Sequence, residues 1–207
     1  MAADDERPGP GAAPSTLEQA IALYAAGYFP MDDPAEARGP LPFYAAERRA
    51  VLELDDRSRA ALRRRLRRSL RAGEGWRLTR DERFEEVVAA CARPREPGDG
   101  VWITPRLKAL YRRLHEVGLA HSFEIHADGE LAAGLIGVLL GRAVMLESMF
   151  HTVPHAGNVL LCRTLDDLAA HGFELCDIQL PTEHTTRLGA RLIARADYEE
   201  RLRSALS

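Results

Sequence analysis

The stretch His121–Met149 reads HSFEIHADGELAAGLIGVLLGRAVMLESM. Three apolar runs, His121–His126, Glu130–Leu139 and Arg142–Met149, are divided by Asp128-Gly129 and Gly141-Arg142. Both dipeptides suit tight hairpin turns, because Gly and Asp tolerate the left-handed backbone such turns require. Strand-length runs bounded by turn signals predict three consecutive antiparallel strands. One residue is out of place: Glu147 carries a carboxylate among Val144, Met145, Leu146, Met149 and Phe150. Burying it without a partner is costly, so it either points to water or sits in a pocket that wants negative charge.

Helical patterns flank this unit. Thr104-Pro105 pairs an N-cap threonine with proline at the first helical position, and Leu107, Leu110, Tyr111 and Leu114 follow at helical spacing before Gly118. Downstream, a helix is expected over Asn158–Ala170 up to Gly172, then a buried strand Phe173–Gln179 and a last helix from about Asp197. Helix, antiparallel strands, helix and strand in that order indicate an α+β domain with a mixed sheet.

The first part of the chain is less regular. Residues 1–14 are acidic and rich in Pro and Gly, the composition of a disordered tail. Ser15-Thr-Leu-Glu18 has capping-box form, with Leu17, Ile21 and Tyr24 on one helical face and Gly27 as a C-terminal stop. The stretch GYFPMDDPAEARGPLPFY reads as a long shaped loop. A short strand over Arg48–Leu54 and helices over Ser58–Arg71 and Thr79–Ala92 complete the reading. The expected organisation is a tail (1–14), a small N-terminal α/β domain with a basic helix (15–78) and a larger domain (79–207).

A net charge of −3 argues against a general polyanion binder, but the arginines between Arg57 and Arg71 argue locally for one. Three widely spaced cysteines form no CxxC pair, so neither a zinc ribbon nor a disulfide framework is indicated, and a reducing, cytoplasmic setting follows. The N-terminus lacks the basic start and apolar centre of a signal peptide. No uncharged apolar stretch is long enough to span a membrane.

Four groups of residues could carry chemistry. Arg63, Arg64, Arg67, Arg68 and Arg71 lie on a helix with few acidic partners, which suits the phosphates of a nucleic acid better than plain solvent. Phe29, Phe43, Tyr44 and Trp102 are either core or stacking surfaces for unpaired bases. Asp177 and Gln179 alternate with Ile178 at a strand end, so both project to one face. They either bond nearby loop backbone or orient a substrate amine. His121, His151, His155 and His184 lack metal-ligand spacing, so no metal is assigned. There is no P-loop, no GxGxxG, no Ser or Cys nucleophile motif and no acyl-CoA phosphate loop.

The blocks VWITPRLKALYRRLHEVGLAHSFEI, ELAAGLIGVLLGRAVMLESMF, DIQ and EHTTRLGA, in that order, closely resemble the leucyl/phenylalanyl-tRNA–protein transferase family, with GYFPM and RAVLELD agreeing upstream. The resemblance implies a GNAT-like C-terminal domain with a smaller N-terminal domain, aminoacyl-tRNA as acyl carrier in place of coenzyme A, and no cofactor. It implies transfer of Leu or Phe to the α-amino group of proteins beginning with Arg or Lys, feeding N-degron proteolysis, by a monomer that needs no membrane. Glu147 would face the basic N-terminal residue, and Asp177 and Gln179 would orient and activate the attacking amine. Trp102 would lie near the tRNA's terminal adenosine, and Met145, Met149 and Phe150 would line or support the leucyl pocket. The chain departs from the family pattern at Leu146, at Phe43-Tyr44-Ala45-Ala46 and over His151–Asn158, where altered tRNA contacts are expected. Two other readings compete: a GNAT-fold acyltransferase on a small amine, and an inactive module that binds tRNA or basic N-termini.

Overall fold

The structure is a computed structural model that describes residues 10–12, 14–34, 39–94 and 103–207. Helix α1 (Leu17–Ala25) is capped by Thr16, whose hydroxyl accepts from the Gln19 amide at 3.2 Å, one place downstream of the expected Ser15. Gly27 then reverses the chain with φ +85°. Strands β1 (Pro10–Ala12), β2 (Phe29–Pro30) and β3 (Phe43–Tyr44) form a small sheet in the order β1-β3-β2. Three residues of the expected tail are thus paired, while residues 1–9 and 13 lie outside the described part.

Strand β4 (Arg48–Leu52) leads to α2 (Asp56–Arg65) and α3 (Arg67–Ala72), where one helix was expected. The break is at Leu66, which leaves helical geometry at φ −94°, ψ 11°. Like charges at i,i+4 cost only about 0.2–0.5 kcal/mol per pair, whereas a buried leucine contributes about 1.5–3 kcal/mol. Burial of Leu62 and Leu66 therefore outweighs repulsion along the arginines. Strand β5 (Arg77–Arg80) occupies the start of an expected helix, because Thr79 pairs with Glu124 in the sheet; the helix proper is α4 (Phe84–Cys91).

Helix α5 (Pro105–Glu116) has the expected Thr104 cap. The decisive stretch forms β6 (Ala120–Ala127), β7 (Glu130–Leu140) and β8 (Ala143–His151), joined antiparallel through left-handed Asp128, Gly129 and Gly141. After β8 come α6 (Ala156–Ala170), β9 (Leu175–Asp177), α7 (Glu183–Leu188), β10 (Arg191–Ala194) and α8 (Arg195–Leu206). Strands β4 to β10 make one sheet in the order β10-β4-β9-β8-β7-β6-β5. Only β8 and β9 are parallel, connected by the α6 crossover, so the sheet is mixed as expected.

The sheet separates two cores. Helices α1, α4, α5 and α8 cover one face with Tyr24, Val87, Tyr111 and Tyr198. Helices α2 and α6 cover the other with Leu62, Val159 and Leu165. The boundary expected at residue 78 falls inside β5, and β4 sits between β10 and β9, so both parts of the chain build the same sheet. Among the described residues no helix is long and apolar enough to cross a membrane.

Candidate active site

Strands β8 and β9 run parallel with Met145 opposite Asp177. Two residues beyond Met145, Glu147 lies close enough to feel the charges of Asp177 and Arg49.

Glu147 sits on a bulge. Ile136 pairs with Ser148 and Gly137 with Leu146, which leaves Glu147 as the extra residue of β8. The bulge reverses the alternation beyond it: Met145 and Phe150 pack in the α5-side core, and Met149 packs in the α6-side core. Glu147 itself is only 8% exposed. Tyr111 donates to its Oε2 at 3.1 Å, while Oε1 has no partner and the buried Tyr24 hydroxyl nearby has none either. Burial first, and the Asp177 charge after it, push its carboxyl up to about 8, against the Tyr24 and Tyr111 hydroxyls and Arg49. In the free protein it is therefore held mainly as the neutral acid at pH 7. It does not point to water.

Asp177 is fully buried and its carboxylate is occupied. Arg49 reaches it through Nε at 3.0 and 3.1 Å and through Nη2 at 2.7 Å, Tyr198 donates to Oδ2 at 2.9 Å, and the Gln179 amide donates to Oδ1 at 2.8 Å. Strand β9 ends at Asp177, so strand alternation does not carry on to Gln179 as expected. Gln179 is instead turned by a left-handed backbone, φ 57°, and its Nε2 is buried without a partner. An unpaired buried amide at a strand end is a group that a ligand can complete.

The remaining expected residues are dispersed. Met145 is fully buried core, Met149 faces the opposite core, and Phe150 is half-buried on the Glu147 side, so the three do not form one pocket wall. Phe43 is fully buried, edge-on to Tyr24 at 5.4 Å, and offers no stacking surface, because its side chain fills the α1 side of the core. Tyr44 is half-buried, and Trp102 lies outside the described residues. Arg63 is tied to Asp166 on α6, which Arg59 also contacts at 2.8 Å, so that part of the patch is neutralised. Arg64, Arg67, Arg68 and Arg71 are exposed and make no ion pair among the described residues. In the divergent segment, left-handed His155 meets the Ser69 hydroxyl at 3.1 Å and Asn158 donates to it at 3.2 Å. That segment is bound to α3.

Three side chains converge elsewhere with donors within 4.8 Å of one another: Asp81, His115 and His121. His121 places Nδ1 2.6 Å from the Asp81 carboxylate and Nε2 3.0 Å from the Gly118 carbonyl, and His115 Nδ1 faces the Ala120 carbonyl at 2.8 Å. These nitrogens answer protein acceptors, a hydrogen-bonded brace rather than an open ligand set. Burial raises the Cys162 thiol to about 11 and Cys176 higher still, so neither offers a thiolate at neutral pH.

Arg49, Tyr111, Tyr24 and Tyr198 complete the site and were not singled out from sequence. Arg49 looked like one of two arginines opening a strand. Its shared parity with buried Val51 was the available signal that it points inward.

The chain matches the family model described as leucyl/phenylalanyl-tRNA protein transferase over residues 51–203. A leucyl/phenylalanyl-tRNA–protein transferase of Anaeromyxobacter sp. (strain K) is 42% identical over 190 residues, covering 91% of this chain and 78% of that protein. One from Synechococcus sp. (strain JA-3-3Ab) is 40% identical over 184 residues, covering 88% and 91%. Among solved structures, FemX is similar in fold alone, with a TM-score of 0.53 at 13% identity over 88% of this chain and 68% of FemX. With the family model and these relatives matching most of its length, the chain belongs to the leucyl/phenylalanyl-tRNA protein transferase family.

Proposed function

We propose that this protein moves Leu or Phe from aminoacyl-tRNA to the α-amino group of proteins beginning with Arg or Lys, on a GNAT-like scaffold, as a cytoplasmic monomer feeding N-degron proteolysis. Family membership supports aminoacyl transfer. The observation that carries the acceptor specificity is the buried carboxyl of Glu147, which Tyr111 meets at Oε2 while Oε1, near the Tyr24 hydroxyl, makes no hydrogen bond. An arriving guanidinium or ammonium would satisfy Oε1 and take over the charge, with the Glu147 proton released to solvent. Gln179 would then orient the neutral α-amine for attack on the ester carbonyl through its side-chain Oε1, which accepts an amine N–H and leaves the nitrogen lone pair free. The amine nitrogen forms the new amide bond, the ester C–O bond breaks, and the tRNA 3′-terminal oxygen leaves with a proton. The ester is already activated, so positioning supplies much of the rate. Asp177 acts through Gln179, since its own oxygens are engaged by Arg49 and Tyr198. Arg64, Arg67, Arg68 and Arg71 would hold the tRNA backbone without reading its sequence.

The test is transfer of labelled leucine from leucyl-tRNA to peptides beginning with Arg, Lys or Ala. Label should appear in the first two, and Glu147→Ala should raise KM for the Arg peptide at least about tenfold. No label in any peptide, beside an active control transferase, would sink the reading and favour a binding module.

A further inference from the structure

Arg49 is a buried cation that no part of the transfer chemistry described above uses directly, 1% exposed and 128 positions from its partner. Its donors are divided between two pieces of chain. Nε and Nη2 bond Asp177, and Nη1 donates to the Gly27 carbonyl at 2.8 Å. Its planar group lies over two aromatic rings, Phe29 at 4.4 Å and Tyr198 at 4.6 Å. Tyr198 also donates to Asp177 at 2.9 Å, so the ring beneath the guanidinium is tied to the same carboxylate.

A plain stabilising pair needs only the two charges. Here the pair is linked to strained backbone. Gln179 holds φ 57°, a left-handed conformation uncommon for a residue with a side chain. Two hydrogen bonds keep it there: its amide to Asp177 Oδ1 at 2.8 Å, and the Ala50 amide to its carbonyl at 2.9 Å. The first depends on the rotation of the Asp177 carboxylate, which the Arg49 fork sets. The second comes from the residue that follows Arg49 in β4.

We propose that Arg49 is a positioning residue for aminoacyl transfer: its bidentate grip on Asp177 holds the Gln179 turn in its reactive geometry. The proposal rests on the reading that Gln179 orients the attacking amine. Lysine cannot replace arginine here, because an ammonium has no planar fork to fix the carboxylate and no face to lie between two rings.

The experiment measures transfer kinetics of the full chain with leucyl-tRNA and an Arg-initiated peptide for Arg49→Lys, Asp177→Asn, Arg49→Met and the double variant Arg49→Met/Asp177→Asn, each checked for folding by thermal melting. The double variant leaves no buried charge unpaired, so it keeps the test alive if Arg49→Met does not fold. Arg49→Lys should lower kcat at least about tenfold while KM for both substrates stays within about twofold, as expected for lost alignment rather than lost binding. The double variant should be no slower than Asp177→Asn alone, because Arg49 acts through Asp177. Wild-type kcat in Arg49→Lys, parallel loosening of both KM values, or a double variant slower than Asp177→Asn by a further multiplicative step would overturn the proposal. An inactive parent protein would instead sink the transfer reading itself, so the two failures are distinguishable.

Discussion

A carboxylic acid buried between phenols behaves differently from a surface acid. Glu147 ionises near 8 in the folded chain and near 4.5 when unfolded. Between those values the unfolded chain releases a proton that the folded one keeps, so stability is full at low pH and is lost as pH rises from about 4.5 to about 8. Glu147→Gln removes that dependence. Thermal melts should show Glu147→Gln more stable than the parent at pH 8, by an amount on the order of a few kcal/mol, with the gap closing near pH 4.5. A gap independent of pH would mean that Glu147 is not held neutral. At the same scale, Gln179→Ala should slow transfer at least about tenfold with little change in KM, if its amide aligns the amine rather than binding the peptide.

At the scale of elements, the basic pair α2–α3 and the hairpin β7–β8 make separate demands. Reversing Arg64 and Arg68 to Glu leaves the buried Leu62 and Leu66 untouched, so folding should persist while tRNA affinity falls and its dependence on salt flattens. Filter binding at two or more salt concentrations measures the slope; an unchanged slope would place the tRNA elsewhere. In the hairpin, a Cβ on Gly134 would sit 2.5 Å from the Phe150 ring and 2.6 Å from Val87. Gly134→Ala should therefore displace the side chain just beyond the Glu147 bulge, at a cost of about 1–3 kcal/mol, read as a lowered melting temperature together with reduced transfer.

For the whole molecule, one seven-stranded sheet takes strands from both sides of residue 78, so it is expected to melt as one unit. A chain beginning at residue 79 lacks β4, which lies between β10 and β9, and half of β5 at the edge. It would expose the β9 edge and strand Asp177 without Arg49. Such a fragment should give no cooperative melting transition; a folded fragment would show that residues 15–78 form a separable domain after all.

Local signals made much of this fold legible. Asp128-Gly129 and Gly141 set the hairpins, Thr104-Pro105 set α5, and alternating apolar runs set β6 to β8, because turns, caps and pleats depend on neighbours in the chain. The helix expected from Thr79 rested on Phe84, Val87, Val88 and Cys91, which fit that period, and pairing of Thr79 with Glu124 put its own stretch in the sheet. Phe43 gave no sign of whether it faced solvent or Tyr24. The bulge that turns Met149 away from Glu147 depends on the partner strand, and a one-residue shift there reverses every side chain beyond it. Sequence by itself thus determined the elements, the family and the polar residues at the strand ends. Only the tertiary structure decided that Arg49 closes on Asp177 across 128 positions and that Glu147 is desolvated, since both follow from long-range packing that no local period encodes.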